Sequence, residues 1–177
     1  GGQRRWFGGR TRWKESLRPA RTNPDEHARL GRRREQAEVF RQNGATGAIA
    51  RMGYGMAELR KKRPELITCS ISGYGEDGPR RDQKAYDLLI QAETGLASIT
   101  GSPTEEARVG VSICDIGAGI TAHAAILQAL IGRGRTGQGR QIEVSLFHAM
   151  ADWMNVPYLQ ARYGGRPPLR EGLRHPT

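Results

Sequence analysis

From Ile116 onward, Ile120, Ala124, Leu127 and Ile131 recur at spacings of three and four, the pattern of a helix with one buried apolar stripe. The pattern predicts a helix that starts at Asp115. A carboxylate there faces backbone N–H groups without intrahelical partners and the positive end of the helix dipole, which favour its ionised, nucleophilic form. Gly117 and Gly119 leave room beside it for a ligand.

The remaining pattern alternates between helix and strand. A short helix is predicted over Met56–Lys62 and ended by Pro64, which leads into the compact β-prone run Leu66–Ile71. Ser72-Gly73-Tyr74-Gly75-Glu76-Asp77-Gly78-Pro79 follows and formally contains GxGxxG. A dinucleotide loop is rejected, because Pro79, Arg80 and Arg81 do not continue as an apolar helix and Glu76 with Asp77 would oppose a pyrophosphate. Tyr86–Ala92 reads as a helix that Gly95 can end, with Lys84, Tyr86 and Asp87 clustered at its start. Asp87 is open to a plain reading as that helix's cap. A short apolar run, Val109–Ile113, delivers Asp115.

The Asp115 helix closes in Gly132–Arg140, where arginine complements the helix dipole. Gln141–Ser145 alternates as a strand and Leu146–Tyr163 resumes helical spacing, stopped by Gly164-Gly165. This order of elements predicts an α/β fold.

Composition changes the picture at one end only. The net charge of +10 would suggest an anionic partner, yet residues 1–52 hold 13 of the 28 Lys and Arg against 5 of the 18 Asp and Glu. The rest is close to neutral. Residues 1–45 are expected to be an irregular basic segment, disordered or foreign to the remainder. Its arginines with Trp6, Phe7 and Trp13 are compatible with nucleic-acid binding, but no recognised module accompanies them, and a leader, a linker or a wrongly joined segment reads the same. Cys69 and Cys114 have neither metal-ligand nor disulfide-framework spacing, so reduced thiols and no metal are expected. No uninterrupted apolar run approaches the roughly 18 residues of a bilayer span, which predicts a soluble, cytoplasmic protein.

Several motifs then fall in one order: Leu66–Pro79, Ala85-Tyr86-Asp87-Leu88, Gly95-Leu96, Ser98-Ile99-Thr100-Gly101, Asp115 and Arg135-Thr136-Gly137-Gln138-Gly139. In this the chain resembles the family III CoA-transferases, the CaiB/BaiF group, from about Gly47 to Gly165. The resemblance implies part of an open, Rossmann-like α/β large domain with flanking helices over residues 46–165, followed by a truncated tail over 166–177. For a complete member it implies a second, smaller domain and an interlocked homodimer.

By the same resemblance Asp115 falls on the catalytic aspartate, whose carboxylate attacks an acyl-CoA thioester and passes through an aspartyl-CoA thioester before an incoming carboxylic acid takes the CoA. Backbone N–H groups at the helix start are expected to stabilise oxyanion charge. Lys84 matches a CoA-contacting position, Tyr86 and Asp87 match positions beside the reacting carbonyl, and Asn43, Gly73 and Gly117 complete the expected CoA and substrate site. CoA enters as substrate, and no permanently bound cofactor is implied. The alternative within the family, a racemase of 2-methylacyl-CoA, needs a histidine where this chain has Tyr86. His123 and His148 do not replace it. The helix Ser145–Pro157 is similar to that of members acting on short dicarboxylates, although an amphipathic packing helix anchored by Trp153 explains it at least as well.

The chain also departs from the pattern. Asn43-Gly44-Ala45-Thr46-Gly47 keeps the asparagine of an expected asparagine-aromatic-arginine-proline-glycine segment but lacks its aromatic. Complete members are about twice this length, so a gene fragment with an out-of-frame or unrelated start is expected.

Overall fold

The computed structural model describes residues 31–33, 35–44 and 47–174. The chain divides into Gly1–Ala37, of which residues 31–33 and 35–36 are helical, and Glu38–Thr177. Trp6, Phe7 and Trp13 lie outside the described residues.

The second unit is built on three parallel strands in the order β1 (Val39–Gln42), β2 (Ile67–Ser72), β3 (Gln141–Ser145). Val39 pairs with Ile67, and Cys69 and Ile71 pair with Ile142 and Val144. β1 corrects the sequence reading, since it forms inside the stretch expected to be irregular. Four residues with one exposed arginine carry too little alternation to be recognised alone, and pairing with β2 supplies what the local pattern lacks. β2 is buried along nearly its whole length, as a central parallel strand with both faces covered requires.

Helices α1 (Ala48–Arg51) and α2 (Met56–Lys62) connect β1 to β2, and α3 (Asp87–Glu93), α4 (Leu96–Ile99) and α5 (Ile113–Thr136) connect β2 to β3. β3 passes directly into α6 (Leu146–Trp153), and α7 (Asn155–Gly164) follows. The single predicted helix Leu146–Tyr163 is thus two, separated at Met154. The Ser145 hydroxyl accepts the His148 amide at 3.0 Å and caps α6 as the strand ends.

One core cluster joins Cys69, Ile71 and Val144 of the sheet to Ala118 and Ala122 of α5 and Ala149 of α6. A second lies beneath the start of α5, where Tyr74, Ile90, Cys114 and Met150 meet. The predicted stripe is not the buried one. Cys114, Gly117, Ala118, Ala122 and Ala129 are buried, whereas Ile116, Ile120, Leu127 and Ile131 are 46 to 64% exposed. The expectation about membrane spans also needs correcting: α5, at 24 residues, is long and apolar enough to cross a bilayer, because its Gly, Thr, His and Gln interrupt the apolar run without adding charge. Here it lies on the sheet.

The glycine-arginine stretch Gly132–Arg140, whose first half is the last turn of α5, serves the fold. Gly137 takes the left-handed conformation that closes the helix, its amide 2.7 Å from the Arg133 carbonyl. Arg133 reaches the Glu38 carboxylate at 3.0 Å. Gly139 sits so close to the Leu66 carbonyl that a side chain there would strike backbone. In the expected tail, Arg170 donates to the carbonyls of Ser102 and Ser98 at 3.0 and 3.1 Å.

Candidate active site

α5 begins at Ile113, two residues earlier than its pattern predicts, with Ser112 at the N-cap position and Asp115 third in the helix. Ser112 makes no side-chain cap bond. The capping group comes from elsewhere in the chain: one oxygen of Asp87, Oδ1, accepts the amides of Cys114 at 2.7 Å and Asp115 at 3.2 Å. The Ile113 amide reaches the Val111 carbonyl at 2.8 Å, and the Ile116 amide reaches the Ser112 carbonyl at 3.0 Å. Ile113, Cys114 and Asp115, whose amides have no intrahelical acceptor, therefore all have partners, and Ile116 makes the first bond within the helix. These amides are engaged within the fold, contrary to the expectation that they are available to an oxyanion, and Asp87 caps α5 rather than its own helix α3.

Asp87 is itself held. Its other oxygen, Oδ2, accepts Gln91 Nε2 at 2.7 Å, and Gln91 Oε1 accepts the Val109 amide at 2.8 Å. Gln91 is fully buried. Its two partners have opposite polarity, so only one orientation of its amide satisfies both. Gln91 stands outside every motif that the sequence presents. The available signal was its position four residues after Asp87 on one helix, where Gln and Asp side chains meet. Cys114, also fully buried, has its thiol pKa pushed up to about 12 by burial first and by the Asp87 and Asp115 charges second.

The other expected site residues are distributed around this turn. Asp115, Lys84 and Tyr86 are exposed, while Asp87 is half-buried. A Cβ on Gly73 would collide with Ala85, so glycine at 73 lets the Lys84–Asp87 segment lie directly against the loop after β2. Gly73 and Asn43 follow the carboxyl ends of β2 and β1, which a parallel sheet places on one edge, where ligands of open α/β sheets bind. Gly117 does not open space for a ligand. It is buried, and its Cβ position meets the Trp153 indole at 3.5 Å and Met150 at 3.9 Å, so it admits α6.

A hydrogen-bonded chain ties the loops after β1 and β2 together. The Gly44 amide donates to Gln42 Oε1 at 2.7 Å, Gln42 Nε2 donates to the buried Ser70 hydroxyl, and that hydroxyl donates to Glu76. Beyond it, an open cleft of about 630 Å³ is lined by Tyr74, Arg80, Glu93, Phe147 and His148 among others. None of Asp115, Lys84, Tyr86 and Asp87 lines it. Arg80 is paired with Glu93 at 2.8 Å and lies over the Tyr74 ring, so the cleft's arginine is already engaged by a carboxylate of the same lining. Among the described residues no group of three or more His, Cys, Asp or Glu is placed to hold a metal ion.

The CoA-transferase family III model matches residues 2–177, including the basic segment set apart by its composition. A succinate–glutarate CoA-transferase of Agrobacterium fabrum is 34% identical over 167 residues, covering 94% of this chain and 42% of its own length. An acetyl-CoA:oxalate CoA-transferase of Acetobacter aceti is 36% identical over 143 residues, which are 80% of this chain and 37% of the relative. Among solved structures, a CaiB/BaiF family protein from Brucella suis superposes with a TM-score of 0.85 at 32% identity, over 92% of this chain and 43% of that one. The chain spans less than half the length of these relatives. With its parallel sheet, its motif order and a match along nearly all its residues, the chain belongs to CoA-transferase family III.

Proposed function

We propose that the protein to which this chain belongs is a soluble, cytoplasmic acyl-CoA:carboxylate CoA-transferase, with Asp115 as its nucleophile. The observation that carries the reading is an exposed aspartate on a helix turn whose four amides are all engaged. The turn is anchored while its carboxylate stays accessible. An aspartate is ionised at neutral pH in its ordinary range and needs no general base to attack. Its oxygen adds to the thioester carbonyl and expels CoA thiolate, giving a mixed anhydride. The thiolate then adds to the Asp115 carbonyl and releases the first acid, leaving aspartyl-CoA. An incoming carboxylate repeats the two exchanges in reverse, so charge and atoms balance without a cofactor. With the first-turn amides occupied, oxyanion stabilisation falls to groups outside that turn.

Lys84, Tyr86, Asn43 and Gly73 are assigned to binding CoA and substrate, on the sheet edge and the segment packed against it. The substrate class proposed is a short dicarboxylate, in keeping with relatives named for succinate, glutarate and oxalate. An interlocked homodimer is proposed for the longer protein, and the exposed row Ile116, Ile120, Leu127 and Ile131 is available for such an assembly to cover.

Incubating the longer protein with succinyl-CoA, quenching with hydroxylamine and mapping the product by mass spectrometry tests the assignment. A hydroxamate on Asp115, and a kcat reduced about a thousandfold or more in Asp115→Ala, are expected. Label on another residue refutes it, and exchange of an α-proton with solvent in place of CoA exchange between acids points to the racemase.

A further inference from the structure

We infer that Asp87 is a positioning residue that sets Asp115 through the backbone, a role that builds on the proposed nucleophile and takes Asp87 out of the substrate-binding set. Asp87 Oδ1 is committed to the amides of Cys114 and Asp115, and Oδ2 to Gln91. All three partners donate, so the acceptor they suit is the ionised carboxylate, which has no proton to give a substrate. The Asp87 carboxylate therefore works on the helix.

The consequences are local. A carboxylate at the first turn offsets the positive end of the dipole and satisfies donors that Ser112 leaves unpaired. Because the group arrives from α3, it also fixes the angle between α3 and the start of α5, and Gln91 extends that hold to the loop at Val109. The start of α3 and the stretch Val109–Asp115, 18 to 28 residues apart in sequence, are thus tied together through Asp87 and Gln91. Without it the first turn of α5 frays, carrying Cys114 and Asp115 with it.

Cys114 reports this directly, and Cys69 is an internal control. Both thiols are fully buried, one in the capped turn and one in the central strand. The full chain is treated under native conditions at pH 7.5 with an aromatic disulfide reagent, and labelling of each cysteine is followed by peptide mass spectrometry. Asp87→Ala is expected to raise the Cys114 rate about 5- to 30-fold with Cys69 unchanged, the range that loss of a helix cap gives. Asp87→Asn, which keeps the side-chain shape, is expected to raise it less, because its amide then meets the Gln91 amide donor to donor. Pairing Asp87→Asn with Gln91→Glu reverses the polarity of that contact while keeping every bond to Val109, Cys114 and Asp115, and is expected to restore protection.

Equal acceleration at both cysteines, or none at either, overturns the inference, as does a double variant no better protected than Asp87→Asn. If Asp87→Ala does not fold, the comparison of Asp87→Asn with the double variant decides the matter. The measurement uses no substrate. It therefore stands or fails independently of whether Asp115 is the nucleophile.

Discussion

The two faces of α5 follow the same helical period and have opposite fates. On one, Cys114, Gly117, Ala118, Ala122 and Ala129 are buried against the sheet and α6. On the other, Ile116, Ile120, Leu127 and Ile131 keep roughly half of their surface outside. The larger apolar residues would give more stabilisation per side chain if buried. Small residues line most of the close face because α5 lies against the strands and Trp153, and the approach is tightest at Gly117, where the indole is 3.5 Å from the Cβ position. Hydrophobicity identifies an apolar face, whereas the spacing to neighbouring elements decides which face goes inside. A row of large aliphatic residues left outside marks a surface that another part of a longer molecule, or a partner, can occupy.

The severest way to break this comparison is to enlarge the close face. Ala122 touches a cluster already filled by Cys69, Ile71, Val144 and Ala149. Ala122→Leu inserts three carbons there and is expected to destabilise the chain by about 1–3 kcal/mol, read as a lower denaturation midpoint in urea. A neutral result would mean that the helix stands farther from the sheet than the cluster implies.

The same geometry explains what the sequence could disclose. Met56–Lys62 and Gln141–Ser145 were legible to the residue, because a local period with Pro64 as a stop for one and a β-branched alternation for the other is a local signal. The four-residue β1 was not, since its pairing partner lies 28 positions away. The position of Asp115 in the first turn of a long helix was legible from the local period, to within two residues. The Asp87 cap was not: its acceptor and donors are 27 and 28 residues apart, and Asp87 opens a helix of its own, where the local reading is the natural one. Gly117 misled for a similar reason, because a glycine near a nucleophile suggests room for a ligand until Trp153 is placed beside it.

A second, smaller effect probes the close face without changing its volume much. Cys114 holds its proton up to about 12 in the folded chain, and an unfolded thiol loses it near 8.5. Below that lower value both states carry the proton and the group contributes no pH dependence. Above it the unfolded state binds fewer protons, so stability falls as pH rises, by up to about 1.4 kcal/mol per unit. Burial raises the Cys69 pKa as well, with the same sign. Cys114→Ala should therefore leave a shallower, nonzero loss of stability between pH 8.5 and 10. An unchanged slope in urea denaturation would place Cys114 in contact with water and weaken the case for a buried first turn.

The smallest effect belongs to the outer face and sharpens the contrast most. Ile120 is 57% exposed, so the folded chain gains little from its methyl groups. Ile120→Lys is expected to change stability by no more than about 0.5 kcal/mol, while lysine's good helix propensity keeps α5 intact. Its consequence should appear in association. A charge in the middle of the exposed row interrupts contiguous apolar surface, so sedimentation velocity of the variant should show less self-association than the parent at equal concentration. Ile116, Leu127 and Ile131 remain in the variant, which limits the change to a partial one. A loss of stability comparable to that of Ala122→Leu would show that Ile120 is enclosed within a single folded chain, and the distinction between the two faces would collapse.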